Sequence, residues 1–421
     1  MFTGVLPLKY LILIAYTLDQ AVTFAKNVPA QSYRLCQKKT SDPLEGCPDG
    51  TLYVSQSDTR ADFSTIQSAI ASLPNNTIPQ VILIAPGVYT EQVNITRPGP
   101  LTLLGASDRP WQNQSYADID YDSEPENDVQ IYWNSANYNS TFPDNVYTGV
   151  LTVGPNLNAT LTGSGPTGFP VPENTPFGCT DFRAYNIDFR NEFAPYSSGP
   201  AHALGVSRAN AGFYSCGFYS WQDTVYVGKL GNAYFYDVIV AGQTDFLYGF
   251  GTLYLQDSTL SLRSCGGGIT AWKGTNTTFP NKYGVYIAGS RVIAANASIA
   301  PVIKDKCSLG RPWNDLHRSL FVNTYLDASV LPAGYTEWGG KENGGIGPNT
   351  TMAVYDVYGP GYDAAAEEAS NITKVFSAEE ARPYLEPVDV FATPDGGQPN
   401  TAWIDGSVLA KVVPKSKYGL E

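Results

Sequence analysis

The chain has 421 residues, among them 40 Gly and 28 Tyr, with only 15% charged side chains and a formal net charge of −13. That acidity excludes nucleic acid as a partner, because a phosphate backbone needs a basic surface. Few charges, many turn formers and many aromatics fit a β-rich chain better than a helical one, and the length admits one elongated core or two domains.

In chain order, residues 1–25 read as a secretory signal. Lys9 precedes the apolar run Tyr10-Leu11-Ile12-Leu13-Ile14-Ala15-Tyr16, and Thr23 and Ala25 suit a cut before Lys26. The run is too short for a comfortable membrane span, so a secreted protein without a membrane partner is expected. Nine glycosylation sequons, at Asn75, Asn94, Asn113, Asn139, Asn158, Asn276, Asn296, Asn349 and Asn371, agree with export. A polar leader over 26–60 is expected, followed by a single domain over 61–421. Cys36 and Cys47 flank a Pro- and Gly-containing segment and form the simplest disulfide, whereas Cys179, Cys216, Cys265 and Cys307 cannot be paired from sequence. Cys216 lies in an apolar run and reads as a buried thiol. No Cys-x-x-Cys or histidine-rich spacing suggests a metal.

Residues 62–73 carry Phe63, Ile66, Ile70 and Leu73 at helical spacing, with Ser64 and Gln67 as a capping box and Pro74 as the stop. Short β-type runs follow at 81–85, 92–95, 101–104, 151–153 and 182–189, too close together for helices between them. Three segments beginning at Phe213, Tyr234 and Tyr254 overlay at steps of 21 and 20, the pattern of stacked coils. The expected fold is all-β: a single-stranded right-handed parallel β-helix with an N-terminal capping helix. An ordinary antiparallel sandwich is the duller alternative. Residues 110–145 and 266–281 are expected as projecting loops, and 363–370 and 377–384 as short C-terminal helices.

Chemistry enters with Trp221-Gln222-Asp223-Thr224-Val225-Tyr226 and Gly242-Gln243-Thr244-Asp245-Phe246-Leu247-Tyr248-Gly249. A coil of that period brings Asp245 over Asp223, displaced by roughly 4.8 Å. Two carboxylates so close have their pKa values pushed apart, so one can act as acid and the other as nucleophile. Either aspartate alone would be an ordinary turn residue.

Together with Pro86-Gly87-Val88-Tyr89-Thr90-Glu91 and Leu309-Gly310-Arg311-Pro312-Trp313, these motifs in this order resemble the pectin methylesterases, in particular their fungal branch. The resemblance covers roughly residues 62–327. It implies cofactor-free hydrolysis of methyl esters on galacturonate units of pectin by a monomer. Asp245 would be the nucleophile, Asp223 the acid and then the base, Gln222 the oxyanion donor, and Arg311 the ionic partner of Asp245. Trp313, Trp221, Phe246 and Tyr248 would offer flat faces to sugar rings. In one place the chain departs from the family pattern. Pro200, heading Pro200-Ala201-His202-Ala203-Leu204, stands where the family carries a second oxyanion glutamine, and proline has no donor. His202 reads as a structural histidine facing the other side of its strand. A pectate lyase, a polygalacturonase, or an inactive wall-binding relative remain the alternatives; with only two histidines and no Gly-x-Ser-x-Gly, a serine hydrolase is disfavoured.

Overall fold

The computed structural model describes residues 30–110, 126–163, 168–172, 174–275, 282–339, 345–391 and 399–409. The expected signal segment and the sequons at Asn113 and Asn276 lie outside them. Among the described residues no helix is long and apolar enough to cross a membrane.

Each turn of the chain contributes one strand to each of three parallel sheets. One regular turn runs Asn232–Tyr236, Ile239–Gly242, Leu247–Gly249, and the next begins at Thr252–Gln256. Stacking such turns builds sheets of eleven, eight and six strands, every pairing parallel. The result is the expected right-handed parallel β-helix. Short strands can turn so sharply because a residue in the left-handed region sits between the first two strands of a turn. Asn186, Ser215, Asp237, Asp257, Asn323 and Asp356 all have φ between 46° and 55°. Asn and Asp tolerate this region best among residues with a side chain. Asn186 thereby splits the expected run 182–189 into Phe182–Tyr185 and Ile187–Arg190.

The interior is a stack of matching apolar side chains. Ala184, Phe213, Phe235, Leu255, Ile287, Phe321 and Val354 occupy one column in register. Phe213 meets Phe235 edge-on with ring centroids 5.2 Å apart. Each such buried ring contributes about 1.5–3 kcal/mol. The repeat read from sequence slips here by one residue. Phe213 pairs with Phe235, a step of 22, and Tyr234 pairs with Gly212. A one-residue slip exchanges faces, so Phe213 fills the interior while Tyr234 lies on the outer face of the eleven-strand sheet. There Tyr234, Tyr254 and Tyr286 form a ladder at 6.3 Å spacing. Both ends of the described chain cover this ladder and its neighbours: Tyr33 and Cys36 from one end, Phe391, Trp403 and Val408 from the other.

Several expected boundaries shift. The helix is Ile66–Ser72, capped by Thr65 rather than Ser64. Glu91 supplies the rest of the cap, its carboxylate accepting from the backbone N–H groups of Ile66 (2.9 Å) and Gln67 (2.8 Å). An acidic side chain at a helix N-terminus suits the orphan donors there. The coil starts before residue 61, at Leu52–Val54, and part of the expected leader forms the helix Ala30–Cys36. Both expected loops contain a strand, Val129–Tyr132 in the first and Thr270–Trp272 in the second. The C-terminal helices are Ala364–Ser370 and Ala378–Ala381, the latter with a capping box from Ser377 and Glu380.

Cys36 and Cys47 are joined, as are Cys265 and Cys307; Cys179 and Cys216 are buried thiols. The second bridge closes 42 positions of sequence. Replacing Cys265 and Cys307 by Ser together should cost about 4 kcal/mol on chain-entropy grounds, read as a lower urea midpoint.

Candidate active site

The six-strand sheet carries the site. Asp223 and Asp245 each precede a strand of that sheet, Val225–Val227 and Leu247–Gly249, which pair Val225 with Leu247. The bridge between Gln222 and Thr244 extends the same register, so the two aspartates occupy equivalent places on adjacent turns. Both adopt the left-handed conformation, with φ 59° at Asp223 and 48° at Asp245. Such a backbone is strained for most residues and clusters at functional sites. Ladder bonds hold it: the N–H of Asp223 donates to Thr244 O (3.1 Å), and that of Asp245 to Gly268 O (2.7 Å).

The two carboxyls differ in their partners. Asp245 accepts a forked pair from Arg311, Nε to Oδ1 at 2.9 Å and Nη2 to Oδ2 at 2.6 Å. The Gly268 N–H adds a third bond to Oδ1 at 3.1 Å. Among the described residues none hydrogen-bonds the carboxyl of Asp223. Both side chains lie in residues less than 10% exposed. Burial raises both pKa values; the neighbouring Asp245 charge pushes Asp223 further, well above the carboxylate range, while Arg311 and the Gly268 N–H pull Asp245 back. Asp245 is therefore the ionised member and Asp223 the protonated one.

Arg311 is fixed from behind by Trp338, whose ring centroid lies 3.8 Å from the guanidinium carbon. Gly267 makes the close approach possible: φ is +68°, and a Cβ there would stand 2.6 Å from Asp245 Oδ1 and 2.8 Å from Arg311 Nη2. Lysine cannot reproduce a planar fork. Arg311→Lys should lose hydrogen bonds to a charged group worth about 1.5–3 kcal/mol, or 10- to 100-fold in turnover, measured as kcat on the reaction proposed below.

Around the pair lies an apolar, mostly aromatic cluster on the sheet's outer face: Tyr226, Tyr248, Phe250 and Ala271, with Trp313 and Trp338 packed against it. Trp313 is part-exposed and lies 5.4 Å from Tyr248. The Lys273 ammonium sits over the Trp313 ring at 3.1 Å, and burial pushes its pKa down to about 6. Trp221 is part-exposed and borders a cleft of about 620 Å³ that Arg263, Glu192 and Phe193 also line.

Two expected sugar contacts are corrected. Phe246 has no exposed surface and belongs to the interior core, since the residue after the turn at Asp245 points into the coil. Tyr248 is on the outer face but only 1% exposed, covered by Trp313 and His202. His202 is corrected as well. It does not face away: its Nε2 bonds the Tyr248 hydroxyl, and its ring lies 5.8 Å from Tyr226. Burial drops its pKa to about 4 and that of His317 to about 3, so both are neutral.

Sequence reasoning missed Gly267, Gly268, Trp338 and Lys273. The run Gly266-Gly267-Gly268 was a visible signal for a close backbone approach; the other two announce themselves only through the fold.

A buried acid beside a carboxylate held by arginine, on a parallel β-helix, is a constellation fitted to hydrolytic chemistry. A family model described as pectinesterase matches residues 174–385, half of the chain. Pectinesterase 31 of Arabidopsis thaliana is 30% identical over 72% of this chain and 81% of its own length. Among solved structures, a pectin methylesterase from Aspergillus niger superposes with a TM-score of 0.63 at 22% identity, covering 88% of this chain and 99% of that one. A pectin methylesterase in complex with a hexasaccharide gives 0.58 at 23% identity, covering 82% and 98%. The chain belongs to the pectinesterase family.

Proposed function

We propose that this protein hydrolyses the methyl esters of homogalacturonan, releasing methanol and leaving free carboxylates on the polymer. The observation that carries this reading is the asymmetry of the aspartate pair, with Arg311 forked onto Asp245 alone. Asp245 attacks the ester carbonyl carbon, and the resulting oxyanion takes an N–H from the Gln222 amide. The tetrahedral intermediate collapses as Asp223 gives its proton to the methoxy oxygen, so methanol leaves and an acyl-enzyme anhydride remains. Asp223, now a carboxylate, takes a proton from water; the hydroxide attacks the acyl carbon and Asp245 departs as a carboxylate. Arg311 stabilises that charge at both ends of the cycle. No step calls for a metal or organic cofactor.

The part-exposed faces of Trp313 and Trp221 and the neighbouring cleft support binding of sugar rings on this side of the sheet. We further infer export through cleavage before Lys26, glycosylation at exposed sequons, and action as a monomer at the cell wall. The test is methanol release from methyl-esterified polygalacturonan. New reducing ends or unsaturated uronides in place of methanol would assign the site to a glycosidase or a lyase, and binding without any product would make it an inactive wall protein.

A further inference from the structure

The family resemblance implies a second oxyanion donor at the place held by Pro200, one turn before Gln222, where Ala201 N–H donates to Gln222 O (3.0 Å). The structure offers another amide. The loop joining Ile187–Arg190 to Leu204–Val206 is tied down near both ends. Asn191 Nδ2 donates to Ser135 O, Thr148 O and His202 O, and Pro200 O accepts from the Asn137 N–H. At its crest Ser197 reaches two glutamines at once. Its Oγ donates to Gln222 Oε1 at 2.7 Å, and its backbone N–H donates to Gln243 Oε1 at 3.2 Å.

A backbone N–H can only donate, so the oxygen of the Gln243 amide must face Ser197 and its NH2 group must point elsewhere. Gln222 is turned the same way by the hydroxyl. Among the described residues neither amide nitrogen donates to a protein acceptor, although both residues are part-exposed beside the aspartates. The two glutamines lie on adjacent turns, with Gln243 N–H bonded to Trp221 O (2.8 Å). Gln243 borders the same glycine run as the nucleophile: a Cβ on Gly266 would stand 3.2 Å from Gln243 Nε2, just as one on Gly267 would strike Asp245.

We propose that Gln243 is a second amide donor to the reacting ester, replacing the one Pro200 cannot supply, and that Ser197 is the positioning residue that turns both amides toward the groove. The inference rests on the esterase reading above. An oxyanion shared by two preorganised N–H donors loses about 10²–10³ in rate when one is removed. A donor fixed by its neighbour loses less, because the free amide still visits the productive rotamer.

The test measures kcat and KM for methanol release in the wild type, Gln243→Ala, Gln243→Met, Ser197→Ala, Ser197→Thr and Ser197→Ala combined with Gln222→Ala, each checked for unchanged thermal midpoint. Gln243→Met keeps the length and packing of the side chain without the amide, so a fall in kcat of about 10² in both Gln243 variants at near-constant KM supports the donor role. Ser197→Ala should lower kcat about tenfold, Ser197→Thr should restore it, and the loss should vanish when Gln222 is already Ala. Wild-type kcat in Gln243→Met, or an undiminished Ser197→Ala effect on the Gln222→Ala background, overturns the inference. Absence of methanol from the wild type would instead overturn the esterase reading itself.

Discussion

Asp245→Asn should lower methanol release by about 10⁴-fold or more while leaving the fold in place. The substitution discriminates well because Asn and Asp are equally at home at a φ of 48°. If Asp245 were only a turn residue, Asn would serve as well and turnover would survive. As a nucleophile it cannot be replaced, since an amide has no anionic oxygen to attack the ester. Arg311 loses its partner in the variant, yet its side chain is 23% exposed and stacked on Trp338, so the uncompensated charge is tolerable. Retention of more than a few per cent of wild-type kcat in a folded Asp245→Asn protein would remove the nucleophile from the scheme.

Asp223→Asn should be equally inactive and, above pH 5, more stable than the wild type. Burial and the Asp245 charge raise the Asp223 pKa well above its unfolded value. For a carboxyl raised in the folded state, the stability it contributes is fully present below the unfolded pKa of about 3.9. It is lost as pH rises toward the folded value, because the folded protein binds the proton that the unfolded chain has released. An amide cannot ionise, so the variant escapes that loss and the gap in thermal midpoint should widen with pH. The same logic makes wild-type activity fall on the alkaline side as Asp223 gives up the proton needed by methanol. Equal midpoints at pH 4 and pH 8 in variant and wild type would show that Asp223 carries its charge at no cost, and the acid role would fall.

Much of this site is legible because a coil turns separation along the chain into distance. The 22 positions between the aspartates have one structural meaning once the period is known, and Arg311-Pro312-Trp313 completes the set. What failed did so where a single residue decides orientation. The repeat aligned on Phe213 and Tyr234 scores well in both registers, since aromatics occupy both faces of that sheet; only the ladder pairs Phe213 with Phe235. Phe246 stands beside the nucleophile in sequence, and the turn at Asp245 sends it inward. The strand Thr270–Trp272 hid inside an expected loop because it is three residues long and follows three glycines. Ser197 was out of reach for another reason: it meets Gln222 from 25 positions away and Gln243 from 46, through a loop with no pattern of its own.

The covered outer face of the eleven-strand sheet has a consequence for trimming the chain. The segment that matches the family model stops at residue 385, before Phe391, Trp403 and Val408. A version cut there would keep every reacting group yet uncover the buried stripe of Tyr185, Tyr214 and Tyr234, a contiguous aromatic strip of the kind that makes proteins self-associate. The tail thus acts as a solubility cover for a machine whose working parts lie elsewhere.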